Sequence, residues 1–513
     1  MRVIEYFDKC VLRSPSADLV AGHDVRYTYA EGKAFSERFA AALHADGMGP
    51  GDGVGLLAPN HPLVFLAMLG LWRAGGVWTP LTTTKKAAAH VDLVGHVGTR
   101  WIFYHSSMTA TVEQIRRVSP VRRFVCFDRE NAGDLSLEQF LALGHDEPAP
   151  DLGDPFGAPN AVAAIVGTGG TTGRSKAVVL TNQVFATAFE AGAQCFPQRG
   201  KLVNLAVAPL THGAGMTAAM LSALGATIVV HERFDAGETL AAIEREHVTH
   251  MFLPPTAYYA MLDHPDLDRR DLSSLQMLLV SAAPVAPEKL REGVKRIGPC
   301  LASCWGQTEA PNLLTWLAPE VIAEAAAGVH PERLGSCGVA TMQSHVAVMA
   351  DDGRLLGTGE RGELVARGRL VSPGYFDNTV ATTEAHEHQW HHTGDIGYVD
   401  DDGYFYIVDR KKDVIISGGF NVYSAEVEAA ILSRPDVLEC AVVGLRDDYW
   451  GERVTAVVVM RAGEAADSDG IIQMCKSLLG SVQAPKQVVV RDHLPRTALG
   501  KIDKRALREE LNV

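Results

Sequence analysis

Apolar residues in this chain alternate between short continuous runs and longer stretches in which they return every three or four positions. GVGLLA from Gly53, GGVWTPL from Gly75 and RWIFYH from Arg100 read as buried strands, and YAEGKAFSERFAAALHADG from Tyr29 reads as an amphipathic helix. Strands that cross over through helices in this order predict an α/β architecture. The stretch HDEPAPDLGDPFGAP from His145 has no periodicity and is rich in Pro, Asp and Gly, the composition of an exposed connection. AVAAIVG from Ala161 is the next strand, and TNQVFATAFEAGAQC from Thr181 a helix for which Asn182 is the expected N-cap.

A second α/β block follows in LVNLAVAPL, ATIVVHE, LAAIEREHVTHMFLPP and LQMLLVSAAPV. Between Arg333 and Val408 the pattern changes to short strands punctuated by glycine, HVAVMADDG, GELVARG and GYFYIVD, which predicts a small β-rich unit. After DRKKD comes a compact α+β stretch, with a helix from Ser424 that carries Glu426 and Glu428 near its start, followed by CAVVGL, TAVVVM, IIQMCKSLL and QVVVRD.

Composition narrows the functional classes. At 513 residues the chain is too long for one hydrophobic core. Its formal charge of -14 argues against the broad basic face that nucleic acid or an anionic membrane requires. That excess is confined to the first part, because from Arg410 onward 15 basic residues meet 15 acidic ones. Eight cysteines without paired spacing read as reduced thiols. The most apolar run, LVFLAMLGLW from Leu63, is about half as long as a membrane span needs. A cytoplasmic protein without a membrane span is the expectation.

The chemistry concentrates in GTGGTTGRSKAVV from Gly167. Glycines let the backbone come close to a ligand with its N–H groups turned inward, and the hydroxyls of Thr168, Thr171 and Thr172 add donors suited to phosphate oxygens. Lys176 supplies the cation. The segment is not a Walker loop, since Ser175 precedes the lysine and Ala177 follows it. It is similar instead to the phosphate-binding signature of the adenylate-forming superfamily of acyl-CoA synthetases, luciferases and peptide-synthetase adenylation domains. PLTHGAG from Pro209, SAAP from Ser281, WGQTE from Trp305, HTGDIGYVDDDG from His392, DRKKDVIISGGFNVYSAEVE from Asp409 and PRTALGKIDKRAL from Pro495 follow in that family's order.

The resemblance implies that a carboxylic acid attacks the α-phosphate of ATP while pyrophosphate leaves, and that the acyl adenylate then passes to CoA. It implies a large N-terminal domain over 1–410, of α/β subdomains plus the β-rich unit, and a small mobile α+β lid over 411–513 that turns about Lys412. Thr168, Gly169, Gly170, Thr171, Thr172, Gly173 and Lys176 match the phosphate loop, and Ser281, Ala282, Ala283 and Pro284 a nucleotide-side turn. Trp305, Gly306, Gln307 and Thr308 follow, with Trp305 beside the adenine and Thr308 on the α-phosphate. Glu309 resembles the family's Mg²⁺ ligand, fitting because a hard cation prefers carboxylate oxygen. Asp395 and Arg410 resemble the ribose contacts, Lys501 the catalytic lysine and His212 the residue gating the acid carboxylate.

Several positions depart from that pattern. Gly169, Ser175 and Ala177 replace the usual serine, proline and glycine of the phosphate loop. Near the end, where relatives that use CoA often carry aromatic and basic groups, this chain has Val482, Gln483 and Ala484, leaving Lys486 and the matched Trp450. The pocket walls that the resemblance implies, Thr211, Ala214, Ser281, Ala310 and Pro311, are small and weakly polar, so the expected substrates are a small to medium acid, aromatic acids included, with ATP, Mg²⁺ and CoA. The alternative acceptor is a carrier-protein thiol or an amine, including nitrite-dependent diazotisation of an aromatic amine in secondary metabolism. A homodimer is compatible with the sequence. The histidines at 386, 388, 391 and 392 read as a solvent-facing turn rather than a metal site.

Overall fold

The computed structural model describes residues 1–119, 121–129, 133–145, 152–153, 158–168, 176–464, 467–496 and 502–512. They form two compact units: Met1–Val346 with Ala366–His391 and Asp402–Phe405, and Ala347–Val365 with His392–Asp401 and Tyr406–Val513.

The first unit holds two sheets. One is seven-stranded and runs Leu135–Ser136, Arg123–Cys126, Thr99–Tyr104, Gly53–Leu57, Val77–Pro80, Val162–Gly167, Ala177–Thr181. All its neighbours pair parallel except the last two, which form an antiparallel hairpin. Leu57, Ile102, Tyr104 and Phe124 are buried in its core, which explains their continuous apolar runs, since parallel strands are covered on both faces. The other sheet has a parallel centre of Thr227–Val230, Val203–Ala206, His250–Leu253, Met277–Val280 and Leu301–Gln307. Ala310–Leu317 then turns back antiparallel to Leu301–Gln307.

In parallel sheets of this kind ligands collect at the carboxyl ends of the strands, where loops lead into helices. The loops after Val203–Ala206, Met277–Val280 and Leu301–Gln307 carry His212, Ser281 and Glu309.

One helix start differs from its expected form. The helix Asn182–Cys195 is capped by Thr181, whose Oγ1 accepts from the backbone of Val184. Asn182 is its first residue, and the amide is spent elsewhere: Oδ1 accepts from the backbone N–H of Val3 at 3.1 Å. Both residues suit a cap by type, and the long-range partner decides between them.

In the second unit, the strands that carry its first pieces run in the order Ser344–Met349, Gly362–Gly368, His391–Val399, Tyr404–Arg410. Its tail packs Val437–Asp447 and Gly451–Met460 as an antiparallel pair, with Gln487–Val490 parallel to the latter. The helices Ser424–Leu432 and Ser468–Leu479 cover it through Val427, Ile431, Ile471 and Cys475. The sequence's β-rich and α+β stretches thus both contribute to this unit. Among the described residues no helix is long and apolar enough to cross a membrane.

Candidate active site

The hairpin Val162–Gly167 with Ala177–Thr181 is the base of the glycine-rich segment. Thr168 closes it, its backbone N–H and its hydroxyl both donating to the carbonyl of Lys176, at 2.9 and 3.3 Å. Gly169, Gly170, Thr171, Thr172 and Gly173 lie outside the described residues. The Lys176 ammonium stands 4.7 Å from the ring centroid of Tyr375, a cation–π contact.

Register places Glu309 at the same tyrosine. Gln307 pairs with Ala310, which leaves Thr308 and Glu309 as a two-residue turn. Tyr375 donates its hydroxyl to Glu309 Oε1 at 2.8 Å, and the backbone N–H of Ser372 donates to the Glu309 carbonyl at 2.7 Å. Burial, and then the neighbouring carboxylate, push the Tyr375 phenol above its ordinary pKa, so it remains a donor. Among the described residues no group of three or more His, Cys, Asp or Glu side chains is placed to hold a metal. A cation here would meet the second carboxylate oxygen of Glu309, a hard donor of the kind Mg²⁺ accepts when phosphates and water complete its shell.

Gly306 is required on steric grounds: a Cβ there would lie 2.7 Å from the backbone of Asn312, itself left-handed at φ +60°. Trp305 pairs with Thr315 and keeps only 7% of its surface accessible, and Gln307 Oε1 meets His391 Nε2 at 3.2 Å. Ser281 fastens the neighbouring loop to this strand, donating its hydroxyl to the carbonyl of Cys304 at 2.7 Å. Ala282 then takes φ +76°, and Ala282, Ala283 and Pro284 are exposed.

His212 precedes the helix Gly213–Ala223, with Nδ1 bonded to Thr211 Oγ1 at 3.0 Å. Solvent reaches its ring, yet enough protein surrounds it at longer range that burial, and then the charge of Lys85, lower its pKa. Lys85 donates to the carbonyl of Gly167 at 3.3 Å, and burial lowers its own pKa. The loop that delivers His212 is gripped by Asn60, which donates to Ala208 O and accepts from Leu210 N, both at 2.8 Å. Next to it opens a cavity of about 350 Å³ lined by Asn60, Thr82, Thr84, Val207, Thr211 and Phe234.

In the second unit Asp395, 3% exposed, pairs with Arg410 through Oδ1 and Nε at 2.8 Å. Glu363 lies in the same unit; burial would raise its pKa, but hydrogen bonds from His392, Lys411 and the Gly394 N–H hold it low. Asp409 accepts from Ser424, and Lys504 donates to Ser424 and pairs with Glu428, both at 2.7 Å. Lys501 lies outside the described residues, between Arg496 and Ile502, which form a bridge. The indole of Trp450 lies over the Gly418 backbone, and the Lys486 ammonium stands 5.2 Å from the Trp450 ring while donating to the carbonyls of Ser481, Val482 and Ala484.

The structure therefore brings Thr168, Lys176 and Glu309 into one cluster, joins the Ser281 loop to the Trp305 strand, and pairs Asp395 with Arg410. Sequence reasoning missed Tyr375, Asn60 and Lys85. SPGYFD from Ser372 follows the GELVARG strand closely and could have drawn attention to Tyr375.

The comparisons with known proteins agree. The family described as AMP-binding enzyme matches residues 7–376, and its C-terminal domain matches 426–501. The medium/long-chain-fatty-acid–CoA ligase FadD8 of Mycobacterium tuberculosis is 36% identical over 92% of this chain and 83% of its own length. A feruloyl-CoA synthase of an Amycolatopsis species is 35% identical over 96% of both chains. Among solved structures, the amide bond synthetase McbA of Marinactinospora thermotolerans superposes over the full length of both chains, with a TM-score of 0.89 at 27% identity. Full-length likeness in sequence and in fold, joined to the motif residues gathered as described, makes this chain a member of the AMP-binding enzyme family, the adenylate-forming enzymes.

Proposed function

We propose that the chain is an AMP-forming acid–thiol ligase, which activates a carboxylic acid with ATP and passes the acyl group to CoA. The observation that carries this reading is the cluster of Lys176 and Glu309 around Tyr375 at the base of the glycine hairpin, a cation and a carboxylate held apart and both usable by a triphosphate. A carboxylate oxygen of the acid attacks the α-phosphorus, the bond to the β-phosphate oxygen breaks, and pyrophosphate leaves with its electron pair. Lys176 neutralises charge on the departing phosphates, Thr308 donates to the α-phosphate, and Lys501 bridges acid and phosphate as a point charge. Glu309 would hold Mg²⁺, whose chemistry is to neutralise phosphate charge. Asp395 accepts the ribose hydroxyls, with Arg410 beside it. His212, whose pKa burial and then the charge of Lys85 lower, gates the acid carboxylate. In the second half-reaction a thiolate adds to the acyl carbon and AMP leaves.

The size of the cavity supports a small to medium acid, aromatic acids included. Residues 1–410 and 411–513 are the two domains of this proposal, Lys412 is the hinge, and the eight free cysteines suit a cytosolic setting. A second acceptor, an amine, is favoured by Val482, Gln483 and Ala484 in place of the aromatic and basic groups, and McbA is itself an amide bond synthetase.

The test offers aromatic and aliphatic acids and nitrite with ATP, with CoA or an amine as acceptor, scoring pyrophosphate, AMP, thioester and amide. Pyrophosphate with thioester is the expected outcome; pyrophosphate with amide alone transfers the conclusion to the amine reading, and no acid-dependent pyrophosphate overturns both. In the same assay Lys501→Ala is expected to abolish adenylate formation while sparing transfer from a supplied adenylate. Equal loss in both steps would reject the role given to Lys501.

A further inference from the structure

We propose that Tyr375 is a positioning residue for nucleotide binding: its hydroxyl orients the Glu309 carboxylate, and its ring keeps the Lys176 ammonium from pairing with that carboxylate. The inference rests on the roles proposed for Lys176 and Glu309.

Two opposite charges beside one side chain would ordinarily join. Here neither forms an ion pair among the described residues, because the ring face holds the ammonium and the hydroxyl holds the carboxylate. An ion pair between them would leave the lysine a weaker phosphate ligand and the glutamate a weaker metal ligand. Tyr375 satisfies each group with a neutral partner, and it uses Oε1 of Glu309 only, leaving the second carboxylate oxygen unoccupied by it.

The placement of the ring follows from the backbone. Val179 N–H donates to Gly374 O at 3.0 Å, Phe376 N–H to Ala177 O at 2.7 Å, and Tyr375 forms a bridge with Val178. The same segment holds the acidic turn through the bond from Ser372 N–H to Glu309 O at 2.7 Å. Tyr375 N–H donates to Thr382 Oγ1 at 3.0 Å, a closeness that only glycine at 374 permits, since a Cβ there would fall 2.4 Å from the Thr382 side chain. Residues 372–376 thus fasten the strand leaving the glycine-rich segment to the turn carrying Glu309, and the tyrosine is rooted at their junction.

The two contacts are separable. Tyr375→Phe keeps the ring and removes the hydroxyl; Tyr375→Leu removes both. Each full-length variant is titrated by calorimetry with adenosine 5′-(α,β-methylene)triphosphate, first in EDTA and then across a Mg²⁺ series. Glu309→Gln and Lys176→Ala serve as controls, and circular dichroism verifies folding. Tyr375→Phe is expected to bind the analogue in EDTA within about twofold of the native chain while needing on the order of fivefold more Mg²⁺ for half-maximal enhancement, the scale of one hydrogen bond. Tyr375→Leu is expected to lose affinity in EDTA as well, as the freed lysine turns to Glu309. An unchanged Mg²⁺ midpoint in Tyr375→Phe, or unchanged EDTA binding in folded Tyr375→Leu, overturns the proposal. If Glu309→Gln leaves Mg²⁺ enhancement intact, or Lys176→Ala leaves EDTA binding intact, the fault lies in the roles given to those residues, and the inference falls with them.

Discussion

Lys85 shows how one half-buried charge bears on another group. Its ammonium has no carboxylate within ion-pair distance among the described residues, and it acts on His212, whose pKa is already lowered by burial. Lys85→Met should therefore raise the protonation midpoint of His212, followed by NMR of histidine-labelled protein through a pH titration; an unchanged midpoint would leave burial as the sole cause. Lys176, Glu309 and Asp395, to which the proposal gives roles, could be singled out in the sequence because their neighbours match the family's motifs. Tyr375 was not, because what defines it is a partner 66 positions away. Asn60 is hidden for the same reason, its two backbone partners lying 148 and 150 positions further on. A tyrosine or an asparagine in isolation carries no sign of a distant acceptor.

Elements were easier to read than residues. The apolar runs from Gly53, Gly75 and Arg100 became strands and the helical period from Tyr29 became a helix, whereas the most apolar run, from Leu63, lies in the helix Pro62–Arg73, because a fully buried helix is apolar all round and shows no stripe. The helix start at Asn182 went the other way because the competition between two good caps was settled by Val3, which no local rule includes. The antiparallel turn bearing Glu309 shows how tightly an element can be specified. Gly306→Ala would drive a methyl group into the Asn312 backbone, which cannot move aside as a side-chain end can. Overpacking of this kind costs about 1–3 kcal/mol, so the variant should unfold at lower urea concentration. It should also bind ATP more weakly, because the turn that presents Glu309 must shift.

For the molecule as a whole, acid is the condition that exposes its internal histidines. His90 and His250 are almost fully buried, each with a ring N–H donating to a backbone carbonyl, and burial brings both to a pKa of about 4. An unfolded histidine protonates near 6.5. Between those values the unfolded chain binds protons that the folded chain refuses, so stability falls as pH drops from about 6.5 toward 4 and is unaffected by either group above that window. Each histidine should contribute up to about 1.4 kcal/mol per pH unit, measured as urea unfolding at stepped pH. A His90→Gln, His250→Gln double variant should show a flatter dependence. The sequence divides the chain at 410 on a change of periodicity, whereas the three separate pieces of the second compact unit carry no such mark, because the chain leaves and re-enters it through strands whose local pattern is the same on either side.

The left-handed alanine at 282 has one more implication. That conformation costs an L-residue about 1–2 kcal/mol, so nearly every other arrangement of the loop is locally cheaper. The turn therefore behaves as a cocked spring, and one of its catches is the hydroxyl of Ser281 on the carbonyl of Cys304. Its shape is borrowed from the strands beneath, since the Ser281 N–H also donates to the carbonyl of Leu253, and loosening these fastenings would favour a different outline of the loop.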